Sequence, residues 1–220
     1  MVLAGDGGAA AIPVVIVQGG AANLGFAGGI TTLSKAFVSS LTSGNTALAH
    51  IVVSSNATLT SITDGANTWV IDAGPIATVG AGYGVLWFAH ASNVVAGATT
   101  VTAHFASSVG ADIQLYEVSG LKASPFSTTH QTHVYDTSIS NPFTPATAPA
   151  FAFGSITVDS GTITTYGATN GWTHDGGETP YVGLRNLKMS LVLPNAVSYD
   201  ADATTPGSDI YSTIAVYLGN

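Results

Sequence analysis

The chain has no cysteine, and only 7% of its 220 residues are charged. The first absence rules out a disulfide-stapled scaffold and leaves the redox compartment open. The second is the more unusual, because an ordinary soluble domain is about a quarter Asp, Glu, Lys and Arg. There are just four basic residues, Lys35, Lys122, Arg185 and Lys188, against twelve acids, for a formal net charge of −8 and a pI near 4.8. Nucleic-acid binding draws its affinity from clustered Lys and Arg, so no nucleic-acid partner is expected. Long apolar runs are missing as well. No segment approaches the roughly 18 to 20 apolar residues of a spanning helix, so a soluble chain with no membrane partner is expected. The first basic side chain is Lys35. The N-terminus therefore lacks the basic region of a signal peptide, and the expectation is use without export, or removal of a leader.

What is present is Thr, Ser, Asn, Gly and short β-branched or aromatic runs. A chain of this length should bury roughly 70 to 75% of the surface its unfolded form exposes, enough for a core without disulfides. The runs are cut by Gly, Asn, Asp and Pro, and helical periodicity is hard to find. This is the pattern of an all-β antiparallel sandwich. Strands are expected at 12–18, 32–39, 47–55, 59–63, 68–73, 83–89, 99–106, 112–119, 130–135, 150–158, 162–168, 190–193 and 210–218.

Two hairpins are expected. Asp64-Gly65 supplies the positive φ of a tight turn between 59–62 and 69–71, and Ser92 to Gly97 would join 83–89 to 99–106. In the second pair Val85 and Trp87 share one face and Leu86 and Phe88 the other, so that strand should be covered on both sides. Along 112–119, Ile113, Leu115 and Glu117 oppose Gln114, Tyr116 and Val118. The Pro- and Thr-rich stretch 124–149 would serve as a crossing connection between sheets. Residues 1–30, rich in Ala and Gly, read as an extended arm, either a disordered tail or a segment that orders on a neighbouring subunit, and residues 31–220 as a single sandwich domain.

Two stretches carry a resemblance. Ser61-Ile62-Thr63-Asp64-Gly65-Ala66-Asn67-Thr68-Trp69, followed by Gln114-Leu115-Tyr116-Glu117-Val118-Ser119-Gly120-Leu121, is similar to a jelly-roll-like sandwich module. Such modules occur in phage virion proteins, among them capsid decoration and tail proteins, and in bacterial surface proteins. The closing Tyr211-Ser212-Thr213-Ile214-Ala215-Val216-Tyr217-Leu218 resembles the module's last strand. The resemblance spans the chain from about Thr32 to its end. It implies a scaffold, with no catalytic residue and no cofactor to carry over.

Four constellations bear on chemistry. His130 and His133, with Tyr135 and Asp136, form the densest group of donors, but residues three apart on a strand face opposite ways and could share a metal only at a turn. In the loop around Gly176-Gly177, Asp175 and Glu178 could hold Ca²⁺ while Trp172 and Tyr181 offer rings to a sugar; the competing reading packs those rings against the core. Asp200 to Asp209 begins like a Ca²⁺ loop and then departs from it, with Thr at the sixth position and no closing Glu. Glu117 is one of only two glutamates, and no nucleophile elbow, phosphate loop or metalloprotease helix appears. No enzyme activity is expected.

Together these features favour a structural protein of a virion surface, a capsid decoration or other head or tail component. Its partners would be other virion proteins and copies of itself. The alternative is a carbohydrate-binding or adhesive module of a bacterial surface or secreted protein, located outside the cell.

Overall fold

Antiparallel pairing accounts for the whole architecture, and no helix occurs among the described residues. The computed structural model describes residues 12–19, 27–54, 56–77, 84–159, 163–167, 169–176 and 184–220. The strands are β1 (Val15–Gly19), β2 (Ala27–Ala36), β3 (Thr46–Val53), β4 (Leu59–Thr63), β5 (Val70–Ala77), β6 (Val85–Ala91) and β7 (Thr100–Ser119). They continue as β8 (Leu121–Ile139), β9 (Pro142–Phe143), β10 (Ala150–Asp159), β11 (Thr165–Tyr166), β12 (Thr173–Gly176), β13 (Leu184–Leu193), β14 (Tyr199–Asp200) and β15 (Ala203–Gly219). Two sheets face each other as a sandwich, compatible with a jelly-roll-like module.

The order of the strands reveals that the chain contains one topology twice. The first sheet runs β1-β7-β3-β6-β5, with β2 and β4 also on the long strand β7. The second runs β8-β15-β10-β13-β12, with β11 on the long strand β15. Strand for strand, β3, β4, β5, β6 and β7 of the first unit correspond to β10, β11, β12, β13 and β15 of the second. The interrupted pair β1 and β2 corresponds to the continuous β8. Among the described residues, the small β9–β14 ladder has no counterpart in the first unit.

Each unit has a core of its own, and the two share a third. Alternation along the strands sends Ala47, Ala49, Ile51, Trp87, Ile113 and Leu115 into the first core, and Ala152, Ile156, Leu187, Met189, Ile210 and Ile214 into the second. The opposite faces of the same strands meet across a seam lined by Leu48, Phe88, Tyr116, Phe151, Phe153 and Tyr217. The continuously buried patterns of β3, β6 and β10 follow, since such strands have protein on both sides. β6 confirms the expected division: Val85 and Trp87 lie in the first core, Leu86 and Phe88 in the seam.

Both expected hairpins are overturned. β4 pairs with β7, and β5 pairs with β6, so the Asp64-Gly65 turn joins two strands of the first sheet that do not pair with each other. Asp64 Oδ1 accepts the amides of Ala66 and Asn67, closing the turn locally without a ladder on either side. β6 and β7 do not pair either; both flank β3, which was better placed to use their edges. The expected crossing segment also differs, because residues 121–139 are the long strand β8. The actual crossing is the reversal at Gly120, where φ is +81° and a Cβ would lie 2.3 Å from the Pro13 carbonyl oxygen. Only glycine tolerates that combination. Of the expected arm, residues 15–19 form β1 on β7 of the same chain, while residues 1–11 and 20–26 lie outside the described residues.

Candidate functional site in the seam between the two units

A short motif occurs once in each unit, Asn67-Thr68-Trp69-Val70-Ile71-Asp72 and Asn170-Gly171-Trp172-Thr173-His174-Asp175. Its residues do the same work both times. The Asn side-chain oxygen accepts an amide from the segment before the unit's last strand, Val95 in the first and Asp200 of β14 in the second. Each Trp packs against its own unit's core, and the Trp172 indole also donates to the Asp200 carbonyl at 2.8 Å. Each Asp reaches across the seam. Tyr116 of the first unit donates to Asp175 of the second at 2.8 Å, and Tyr217 of the second donates to Asp72 of the first at 2.8 Å.

This reciprocal exchange has the form of a two-fold contact, in which residue i meets j and j meets i. The two ends are not identical. His90 Nδ1 sits 2.8 Å from Asp72, giving that carboxylate a second partner. Burial pushes the Asp175 carboxyl up from its ordinary range, with Ser190 and then Tyr116 opposing the shift. Both phenols are pushed well up, by burial first and by the facing carboxylate next. Tyr116→Phe is expected to cost about 1.5 kcal/mol, in the range of a hydrogen bond to a charged group, and Tyr217→Phe less because His90 remains on Asp72. Denaturant unfolding of the two variants would show the order; equal losses would deny His90 that role.

Elsewhere the seam holds a buried ion pair. Lys188 of β13 donates to Asp112 of β7, with the two side chains only 1% and 3% exposed. His50 of β3 lies near this pair, stacked on Phe88 at 4.9 Å and edge-on to Phe153 at 6.4 Å. Burial, and then the Lys188 charge, hold its pKa well below the ordinary value. Gln114 completes the polar row by donating to the Asp175 carbonyl at 3.3 Å.

The residues singled out from the sequence are scattered across this framework. Trp172 is 6% exposed and belongs to the core of the second unit, so it is no platform for a sugar ring. Asp175 is buried, and its Oδ2 accepts the hydrogen bond of Tyr116. Glu178 and Tyr181 lie outside the described residues. His130 and His133 point to opposite faces of β8, as alternation requires. His130 packs beside Phe143 in the second unit, whereas His133 stacks on Tyr211 at 4.0 Å and meets Asp209 at 2.9 Å. Asp136 accepts the amide of Thr137, and Asp200 binds Ser140 and the amide of Asn141. Among the described residues no three His, Asp or Glu are grouped to hold a metal ion.

Glu117 is a structural clamp. Its carboxylate accepts the Thr42 amide at 2.7 Å, Asn45 at 2.6 Å and Gln18 at 2.5 Å, fastening β1 and the loop before β3 onto β7. Burial pushes its pKa up, but these hydrogen bonds outweigh burial and hold it below the ordinary range. The residues that sequence reasoning missed are Asp72, Lys188, Asp112 and His50. The signal for the first was available, since Asn-x-Trp-x-x-Asp occurs twice; the others carry no motif.

Comparison of the chain with protein-family models, with curated proteins and with solved structures finds no match.

Proposed function

We propose that this chain is a non-enzymatic structural protein of a virion surface, a capsid decoration or another head or tail component, that assembles with copies of itself and with neighbouring virion proteins. The observation that carries the reading is where the scarce charge is spent. Lys188, Asp112, Glu117 and Asp175 are buried, and the Asp72 carboxylate is 3% exposed. The surface is therefore poorer in charge than the composition alone suggests. Its sheet edges share that poverty. β1 carries no charge and turns Val15 and Val17 outward, and β8 carries none between Lys122 and Asp136. β1 is bulged between Ile16 and Gln18, and β8 has Pro125 and register shifts toward both ends, but from Thr128 to Tyr135 β8 runs in regular register with no charge, and an edge of that kind templates pairing with another chain.

The reading has a distinctive expectation in solution. Association through uncharged edges and faces should strengthen with protein concentration and change little from low to high salt, since there is little Coulomb energy to screen. Sedimentation velocity across both variables would check it, with Thr128→Lys/Ser138→Lys as an edge-guarded variant expected to be monomeric. Mass spectrometry of purified particles would test the virion assignment. A chain that stays monomeric at every concentration, and is missing from particles, would sink the proposal.

A further inference from the structure

On β8, Gln131, His133 and Tyr135 share one face, and across the ladder Thr213, Tyr211 and Asp209 stand opposite them in register. This is the seam-facing side of the second sheet, because the next residues on β15 in that row, Ala215 and Tyr217, belong to the shared core. Among the described residues, the first unit meets this face at Ala77, the end of β5, and there the seam holds a groove of about 240 Å³ lined by Ala77, Gln131, Thr132, His133, Tyr211 and Thr213.

We infer that this groove is a binding site for a neutral carbohydrate. The floor is the stacked His133–Tyr211 pair, with rings 19° from parallel, and Asp209 fixes the imidazole from its far side. Next along the strand, the Tyr135 ring is 80% exposed, an unusual position for a large aromatic with no internal packing role. A sugar ring needs an aromatic surface for its C–H face and amide, hydroxyl and carboxylate groups for its hydroxyls. The strip supplies both within three successive rungs of one ladder: Tyr135 and the His133–Tyr211 pair for the first, Gln131, Thr213 and Asp209 for the second. The volume falls just under the roughly 300 Å³ at which drug-sized pockets begin, so it seats one ring and lets a chain run out past Tyr135. Its place between two packed units is a common one for ligand sites. The ligand is neutral because Asp209 and the net charge of −8 both repel an anion.

The inference is independent of the virion assignment and concerns the face of β8, away from its hydrogen-bonding edge. It is tested on the full chain with neutral oligosaccharides of glucose, galactose, mannose and N-acetylglucosamine, by affinity electrophoresis and by the NMR shift of the His133 ring proton. Binding of at least one series should move that proton. Gln131→Ala in the groove and Tyr135→Ala at its exit should each weaken it, the first about tenfold, while Tyr135→Phe keeps it. Tyr135 and Gln131 are exposed, so the fold should survive these changes, and Val38→Ser, at another fully exposed position, should leave binding unchanged. No binding by any of these sugars, or binding indifferent to Tyr135→Ala and Gln131→Ala, overturns the site.

Discussion

Lys188→Ala is expected to destabilise the protein by about 3 kcal/mol, the low end of the cost of breaking a buried ion pair by removing one partner. The side chains of Lys188 and Asp112 are almost wholly removed from water, and they belong to different units. Removing the ammonium therefore takes from the buried Asp112 carboxylate its charged partner across the seam. For a chain of this size the loss corresponds to a fall in Tm on the order of 10 °C, readable by calorimetry. Lys122→Ala, which removes an exposed contact to Thr147 at 3.5 Å, should change little. The pair is not expected to be a net source of stability. Lys188→Met combined with Asp112→Leu should recover most of the loss, because well-packed apolar groups can replace a buried pair at little or no cost. A Lys188→Ala variant within about 1 kcal/mol of the parent would mean that water enters the seam.

That pair also shows why the sequence discloses some features and hides others. Period-two alternation assigned residues to faces correctly, as in β6 and in the second half of β7, because the side-chain period of a strand is local. Pairing is not local. Asp64-Gly65 carries the composition of a hairpin turn, yet the strands it joins pair with different neighbours in the same sheet, where β7 and β6 offer longer partners. The expectation for 124–149 failed for a related reason: Thr and Pro suggested a connection, but β15 gave residues 121–139 a whole ladder to bind. The duplication was legible in principle through Asn67, Trp69 and Asp72 against Asn170, Trp172 and Asp175. Around them the two units have drifted so far that alternation alone reads as one long series of strands. Asp112, Lys188 and His50 come together only through tertiary packing, and no spacing announces them.

Stability should also fall as the solution is acidified below about pH 6.5, and His50 should be the main cause. In the unfolded chain the imidazole takes up a proton near its ordinary value of about 6.5. In the folded seam it stays neutral well below that, because burial and the Lys188 charge both disfavour a second cation there. The unfolded state then binds more protons than the folded one, and each pH unit below 6.5 removes about 1.4 kcal/mol until the folded pKa is reached. Above pH 6.5 both states are neutral and the full stability is present. His130, lowered by partial burial, acts in the same sense and accounts for part of the slope. Asp175, raised by burial, acts in the opposite sense toward the acid end, which makes pH 7 to 5 the informative window. His50→Gln, measured by denaturant unfolding across that window, should show a visibly shallower loss than the parent. Lys188→Ala should flatten it too, since removing the facing charge lets His50 hold its proton to higher pH. An unchanged slope in both variants would place the titrating group elsewhere. A flattening in His50→Gln alone would assign the depressed pKa to burial in the aromatic part of the seam, with the Lys188 charge adding little.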